Sequence, residues 1–339
     1  MSTVARFVQR EYPEYLLKGM IMDNIDKKTL VVISYYDRRP ISNLHSLIDS
    51  MQFFDAGAPY EVCVVVNRTC DEEIELNYPE LNPDVHYRHN VGMNIGAWDF
   101  GWRLASGFDN VIFLQDDCYI VRDGWVSAIN DRLIDTDVGL LGEAANRGWD
   151  IPWEELHKRE ANVNLAEHEL NGQKANRVDV YLDCLKRYGI AAGDNGFHMR
   201  SLMWAARMET LQQIDGFPHG RDFGECIAAE IGVTKKVQSA GLAIENIDKE
   251  DFKYFRHLEW NQDYPGGRFT KHPTVARQIA RLKTENNRLK ETVSEQSEQI
   301  EQLVVSRGLS KWKLIVHLLA GNPKIKNLEH EMIAEGEQQ

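Results

Sequence analysis

The segment Asn110–Val126, NVIFLQDDCYIVRDGWV, joins a short apolar strand to two adjacent carboxylates. Val111 to Leu114 is rich in β-branched and aromatic residues, which predicts a strand buried on both faces. The strand runs out at Asp116 and Asp117, and open α/β sheets bind ligands at the carboxyl ends of their strands. Two buried carboxylates repel each other unless a cation neutralises them, and a divalent ion that also binds phosphate would do so. A solvated turn would place Asp here as well.

The segments around this strand decide between the two interpretations. Buried strands are predicted at 29–34, 61–67 and 85–88, with helices at 41–51 and after Gly92. The order strand–helix–strand–strand–helix–strand is typical of a Rossmann-type nucleotide-binding half. The glycines of 92–101 do not form GxGxxG, and no acid follows a strand about 20 residues later, which argues against NAD.

The rest of the sheet is predicted further along the chain. Strands are expected at 202–206 and 242–247, with a helix at 222–239 between them. The segment 252–273, with its Pro-Gly-Gly turn, is predicted to be a loop. The long connection 139–200 has a mixed pattern of the kind that carries substrate specificity in such folds.

Composition narrows the class of protein. The 339 residues include 39 Lys and Arg against 52 Asp and Glu, a net charge of −13, which argues against a nucleic-acid binder. The cysteines are odd in number and scattered, which favours reduced thiols over disulfides: Cys63, Cys70, Cys118, Cys184 and Cys226. No apolar signal region and no run of 18 apolar residues is present, so we expect a cytoplasmic protein.

A different pattern begins near residue 273. Apolar residues recur at spacings of three and four through 275–303, and Asn286 occupies one seam position. Four such heptads predict a coiled coil over 273–305, and a single seam Asn favours a parallel homodimer. A single helix packed on the globular domain is the alternative.

The segment 306–339 begins with a basic amphipathic stretch. Residues 306–326 carry five Lys or Arg and no acid, with Trp312 on an apolar helical face. This composition predicts binding to an anionic membrane surface, which would place the protein on the inner face of the cytoplasmic membrane. Docking on the partner subunit or on the globular domain is the alternative.

Five segments in order resemble the inverting GT-A glycosyltransferases of family 2 that build bacterial surface polysaccharides. They are VVISYYDRR, EVCVVVN, RHNVGMNIGAWDFG, FLQDDC, and IDGFPHGRDFGECIAAEI followed by SAGLAI. The resemblance covers about residues 29–260. It implies an α/β GT-A fold for 29–272, Rossmann-like with a mostly parallel sheet flanked by helices, after a lead-in at 1–28 and before the coiled-coil helix.

The resemblance also implies site residues. Nucleotide-sugar binding would fall on Ser34, Asp37, Asn67, Asn90, Gly92 and Asp116, the metal on Asp117 and His257, and catalysis on Glu225 and Asp222. Gln115 stands where the family's DxD motif begins, and Cys226 replaces the second acid of its ED pair. The catalytic base therefore stays open between Glu225, the first choice, Asp222 and Glu230.

The implied activity is a Mg²⁺- or Mn²⁺-dependent inverting transfer of a sugar from a nucleoside-diphosphate sugar. The acceptor would be a surface glycan, including a lipid-linked one. Because acids are missing at Gln115 and Cys226, a catalytically inactive GT-A-like scaffold acting through its coiled coil is the alternative. A nucleotidyltransferase is disfavoured because SYYDRRP, after the first strand, contains no glycine.

Overall fold

The computed structural model describes residues 28–161, 163 and 168–257. The predicted lead-in at 1–28 (all but Lys28), the coiled coil at 273–305 and the basic helix at 306–326 lie outside the described residues. Within the described part of the chain, no helix is long and apolar enough to cross a bilayer.

The described residues form eleven strands, seven of them in one sheet. The strands are β1 Thr29–Tyr36, β2 Tyr60–Arg68, β3 Asp84–His89, β4 Asn110–Gln115, β5 Cys118–Ile120, β6 Val138–Gly142, β7 Glu169–Leu170, β8 Gln173–Lys174, β9 Met203–Arg207, β10 Ala243–Asn246 and β11 Phe255–His257. The large sheet has the order β10-β6-β9-β4-β1-β2-β3. Within this seven-stranded sheet, β9 is antiparallel to β4 and β6, and all the other neighbouring strands are parallel to each other.

Helices cover both faces of this sheet. They are α1 Ile41–Phe53, α2 Met93–Leu104, α3 Trp125–Leu133, α4 Trp153–Arg159, α5 Arg177–Arg187, α6 Met208–Gln213 and α7 Phe223–Ser239. Alternate residues of β1 enter opposite cores: Val31 and Ile33 pack with α1 and α3, whereas Leu30 and Val32 pack with α2 and α7. A third apolar cluster joins α4 and α5 to α7.

The predicted order of the first half is confirmed as β1-α1-β2-β3-α2-β4. The mixed α/β class with a largely parallel sheet between helices is confirmed as well. The prediction of a loop throughout 252–273 is wrong for 255–257, because β11 pairs antiparallel with β5. All five cysteines are free thiols, as the scattered spacing predicted.

Gly96 lets helix α2 approach the loop before it. A Cβ at this position would lie 2.0 Å from the carbonyl oxygen of Val91, a backbone atom that cannot rotate away. We expect Gly96→Ala to lower the free energy of unfolding by about 1–3 kcal/mol, because the clash outweighs the better helix propensity of alanine. Chemical denaturation measures this, with Gly148→Ala as the control, since a Cβ there meets only Asn146 Oδ1 at 3.7 Å. Equal stability of the two variants would contradict the expectation.

Candidate functional site

A pocket of about 380 Å³ opens where β1, β2 and β4 end. Its lining includes Ser34, Arg39, Asn67, Gln115 and Asp116. These residues come from the exits of three adjacent parallel strands, since β4 pairs with β1 and β1 with β2. Polar groups from three strand exits thus meet at the carboxyl edge of the sheet.

Asp116 and Asp117 lie beside this pocket with two cationic or potentially cationic side chains. Arg39 Nη1 donates to Asp116 Oδ1 at 3.1 Å and also to Asp117 Oδ2. His257 Nε2 lies 3.2 Å from the same Asp117 oxygen, because β11 pairs with β5 and sets His257 opposite Cys118. The carboxylate side chains are only 5% and 10% exposed. Asp117 and His257, which the resemblance assigns to the metal, thus lie side by side, and metal binding by them stays a prediction.

The two carboxyl groups differ in their pKa values. Burial, together with the negative charge of Asp117, raises the pKa of Asp116 to about 7. Burial would raise the pKa of Asp117 too, but hydrogen bonds and charges from His257 and Arg39 outweigh it and lower that pKa. The negative charge of the two carboxylates is therefore only partly neutralised, which favours binding of a further cation at this position.

Two oxygens of the pair fit such a cation. Asp116 Oδ2 and Asp117 Oδ1 are buried and accept no hydrogen bond from the residues that the structure describes. Unpartnered buried carboxylate oxygens are costly unless an ion or donor meets them. Among residues 28–161, 163 and 168–257, no three His, Cys, Asp or Glu side chains form a complete metal cluster. Two carboxylates suffice for Mg²⁺ when substrate phosphates and water complete its coordination.

Comparison with known proteins adds a general likeness. No family model and no curated protein matches the chain. A mannosyltransferase, PcManGT from Pyrobaculum calidifontis, solved with GDP-Man and Mn²⁺, is 16% identical with a TM-score of 0.40. That alignment covers 68% of this chain, and the chain spans only 60% of the mannosyltransferase.

Two solved structures of Drosophila β1,4-galactosyltransferase 7 are also similar. An Asp-to-Asn mutant in complex with manganese, UDP-Gal and xylobiose is 13% identical, with a TM-score of 0.34. The catalytic domain with xylobiose is 14% identical, with a TM-score of 0.35. Each alignment covers 75% of this chain and 79% of the other. These values are too low to carry a function over to this chain.

The residues predicted to bind the nucleotide separate into two groups. Ser34 and Asn67 are buried and line the pocket. Asn67 Nδ2 donates to Met93 O at 2.9 Å, and Arg88 donates to Asn67 Oδ1 at 2.8 Å, which leaves one amide hydrogen and one lone pair for a ligand. Asp37 instead accepts hydrogen bonds from the backbone of residues 69 and 70, which lower its pKa against a desolvation effect. Its carboxylate therefore holds the loop after β2.

The start of helix α2 forms another wall of the pocket. Gly92 precedes the helix with φ +79°, and Met93 follows with φ +49°, a conformation that is uncommon for a residue with a side chain. Asn90, Met93 and Asn94 line the pocket. Asn90 therefore lies at the pocket and Gly92 forms the backbone turn before the helix, and nucleotide binding by either residue stays a prediction.

Glu225, the first choice for the base, is held in an ion-pair network. It accepts hydrogen bonds from Arg221 Nη2 at 2.6 Å and Arg187 Nη2 at 2.8 Å. The bonds from Arg221, with help from Arg187, outweigh burial and lower the pKa of Glu225 to about 2. A carboxylate with so low a pKa is a poor base at neutral pH. Asp222 caps helix α7 by accepting from the Glu225 N–H at 2.9 Å. The ion pairs argue against Glu225 as the proton acceptor, and one oxygen of Asp222 is engaged in capping the helix.

Glu230, the third acid considered, has the opposite character. Burial raises its pKa to about 7, although the Ser201 N–H donates to Glu230 Oε1 at 2.8 Å and Arg200 lies nearby. Its side chain is 15% exposed. Gln115 Nε2 in turn donates to Ser201 O, so two hydrogen bonds connect Glu230 to the pocket wall. A carboxyl with a pKa near 7 is suited to accept a proton at neutral pH.

Several pocket residues were not predicted from the sequence, Arg39 and Phe223 among them. Arg39 pairs with both carboxylates, and the stretch SYYDRRP after β1 offered the signal, since an arginine at a strand exit can reach the neighbouring strand's exit. Phe223, half-exposed at the start of α7, also lines the pocket. Its apolar ring gave no signal because it lies in a polar stretch, RDFGEC.

Proposed function

We propose that this chain is a GT-A-type glycosyltransferase that moves a sugar from a nucleoside-diphosphate sugar to a glycan acceptor, with inversion. The observation that carries the proposal is the pair of carboxylate oxygens of Asp116 and Asp117, beside a pocket at the strand ends, that have no partner among the described residues. A buried acidic pair of this kind is suited to a divalent cation and the phosphates it carries. The resemblance of the five sequence segments supports the same activity.

In this proposal different pocket residues bind different parts of the nucleotide sugar. Ser34, Asn67 and Asn90 would contact the nucleoside, and Asp117 with Asp116 would hold Mg²⁺ or Mn²⁺ beside His257. The metal would supply positive charge against the diphosphate leaving group. The protein's own contribution is to hold the carboxylates in a site with little water, where their charge acts strongly.

We propose Glu230 as the group that accepts the proton of the attacking hydroxyl. Its raised pKa suits this role, whereas Glu225 is already neutralised by two arginines. An inverting transfer needs the base opposite the leaving group, because the reaction is a single displacement. The Ser201 N–H fixes one Glu230 oxygen and so orients the carboxylate.

A second candidate function is a catalytically inactive GT-A-like scaffold that acts through its coiled coil. The Arg39 ion pairs favour it, because a guanidinium that binds both carboxylates neutralises part of their charge without a metal. Release of nucleoside diphosphate from UDP-, GDP- and dTDP-sugars, with Mn²⁺ or with EDTA, separates the two functions. Transferase function predicts Mn²⁺-dependent release from one nucleotide class. Absence of release and of nucleotide binding supports the scaffold.

The C-terminal segments add proposals that rest on sequence alone. We propose a homodimer through 275–303 and membrane association through 306–326, which would bring the site to a lipid-linked acceptor on the inner face of the membrane. A solution mass of one chain would contradict the dimer. Co-sedimentation with anionic liposomes that persists after deletion of residues 306–339 would contradict the membrane role.

A further inference from the structure

Arg39 covers the Asp116–Asp117 pair. Its Nη1 contacts one oxygen of each carboxylate, and the remaining oxygens, Asp116 Oδ2 and Asp117 Oδ1, are buried. Arg39 and Asp116 both line the pocket. A cation that binds these carboxylates from the pocket therefore comes close to the guanidinium, and the two positive charges compete for the same pair.

The side chain of Arg39 can move while its backbone stays fixed. The guanidinium arm is 43% exposed, unlike the buried carboxylates it contacts. The Arg39 N–H donates to Tyr36 O at 2.8 Å, and Tyr35 OH donates to Arg39 O at 2.9 Å. Pro40 follows and restricts the chain further. Rotation of the side chain alone would leave the guanidinium at the same pocket.

A guanidinium that is displaced from the carboxylates at this position is suited to bind a phosphate group. Its planar fork of N–H donors matches the oxygens of a phosphate, and such charge-assisted bonds are among the stronger ones in proteins. We propose that Arg39 is an exchangeable counter-ion: it leaves the carboxylates when a divalent cation binds them, and it then binds the donor's diphosphate. The binding of the diphosphate by Arg39 rests on the proposed function, whereas the exchange of Arg39 for a cation does not depend on it.

The test compares Mn²⁺ and nucleotide binding in full-length variants. Arg39→Met keeps the aliphatic stem and removes the charge, and Arg38→Met is the matched control, because Arg38 Nε donates to Thr69 Oγ1 at 2.7 Å instead. We expect Arg39→Met to bind Mn²⁺ alone roughly tenfold tighter than the wild type, since the competing charge is gone. We expect it to bind UDP, GDP or dTDP roughly tenfold more weakly at saturating Mn²⁺. Arg38→Met should match the wild type in both.

Titration of free Mn²⁺ by electron paramagnetic resonance gives the first affinity, and calorimetry gives the second. Arg39→Lys keeps the charge without the planar fork, so its Mn²⁺ affinity should lie between the wild type and Arg39→Met, and it serves if Arg39→Met does not fold. Unchanged or weaker Mn²⁺ binding in the Arg39 variants overturns the inference and leaves the proposed function standing. Unchanged nucleotide affinity in the Arg39 variants overturns the part of the inference in which Arg39 binds the diphosphate. If no variant binds Mn²⁺, the inference and the proposed metal site both fail.

Discussion

Replacing Asp117 by alanine is expected to lower kcat/KM for sugar transfer by roughly 1,000-fold, through loss of charge stabilisation at the leaving group. Asp117 is buried beside Asp116, and in the described part of the chain its Oδ1 has no hydrogen-bond partner. Its removal takes away one of two carboxylates and also frees Arg39 and His257 from their shared oxygen. Steady-state kinetics at saturating Mn²⁺ measure the effect.

The fold should survive this substitution. Asp117 contributes to the raised pKa of Asp116, so its removal relieves a repulsion between like charges. Because the contacts with Arg39 and His257 are lost as well, we expect Asp117→Ala to keep the circular dichroism spectrum of the wild type and to melt at a somewhat lower temperature. Asp71→Ala is the control, because Asp71 is a fully exposed carboxylate that should alter neither activity nor stability. Wild-type activity in Asp117→Ala would remove the carboxylate pair from the mechanism.

Glu230→Gln is expected to reduce kcat by about 100- to 10,000-fold, the usual effect of losing a general base. Glutamine retains an oxygen that can accept the Ser201 N–H bond, so the local structure should persist. In the wild type the rate should fall as the pH drops below about 7, because the protonated carboxyl cannot accept a proton. Glu230→Gln should lack this acid limb. The raised pKa of Asp116 should not obscure it, since a bound cation lowers that pKa.

Stability provides a second readout for Glu230. Its pKa rises from 4.5 to about 7 on folding, so the folded protein binds this proton more tightly. The free energy of unfolding should therefore decline as the pH rises from about 4.5 to about 7, and Glu230→Gln should remove that part of the decline. Glu225→Gln is the matched control. We expect it to lose ion pairs with Arg187 and Arg221 but to keep the fall in reaction rate at low pH. If Glu225→Gln abolishes the limb instead, the assignment of the base is wrong.

The sequence predicted the elements whose signal is local. Strands β1, β2 and β4 are unbroken apolar runs, because both of their faces are buried. Strands β5 and β11 have three residues each and exist only because they pair across more than a hundred positions of sequence, from Cys118 to His257. Helix α3 was not predicted, because a polar residue, Asn130, interrupts its buried apolar face.

Some features of the site could likewise be predicted from one segment of sequence, and others could not. The adjacent carboxylates at the end of β4 were predictable, because their position follows from one strand. The difference between Glu225 and Glu230 was not, because it depends on distant groups: Arg187 neutralises the first and residues 200–201 surround the second. Arg39 was visible in the sequence, but its ion pairs require β1 and β4 to be neighbours.

The most direct test of the central claim is calorimetric binding of UDP, GDP and dTDP to the full-length protein, with and without Mn²⁺, in the wild type and in Asp117→Ala. The account predicts that one of the three nucleotides binds the wild type only with Mn²⁺, and that Asp117→Ala loses this binding. Absence of binding by all three, with or without Mn²⁺, would contradict a nucleotide-sugar site at the Asp116–Asp117 pair and leave the inactive scaffold.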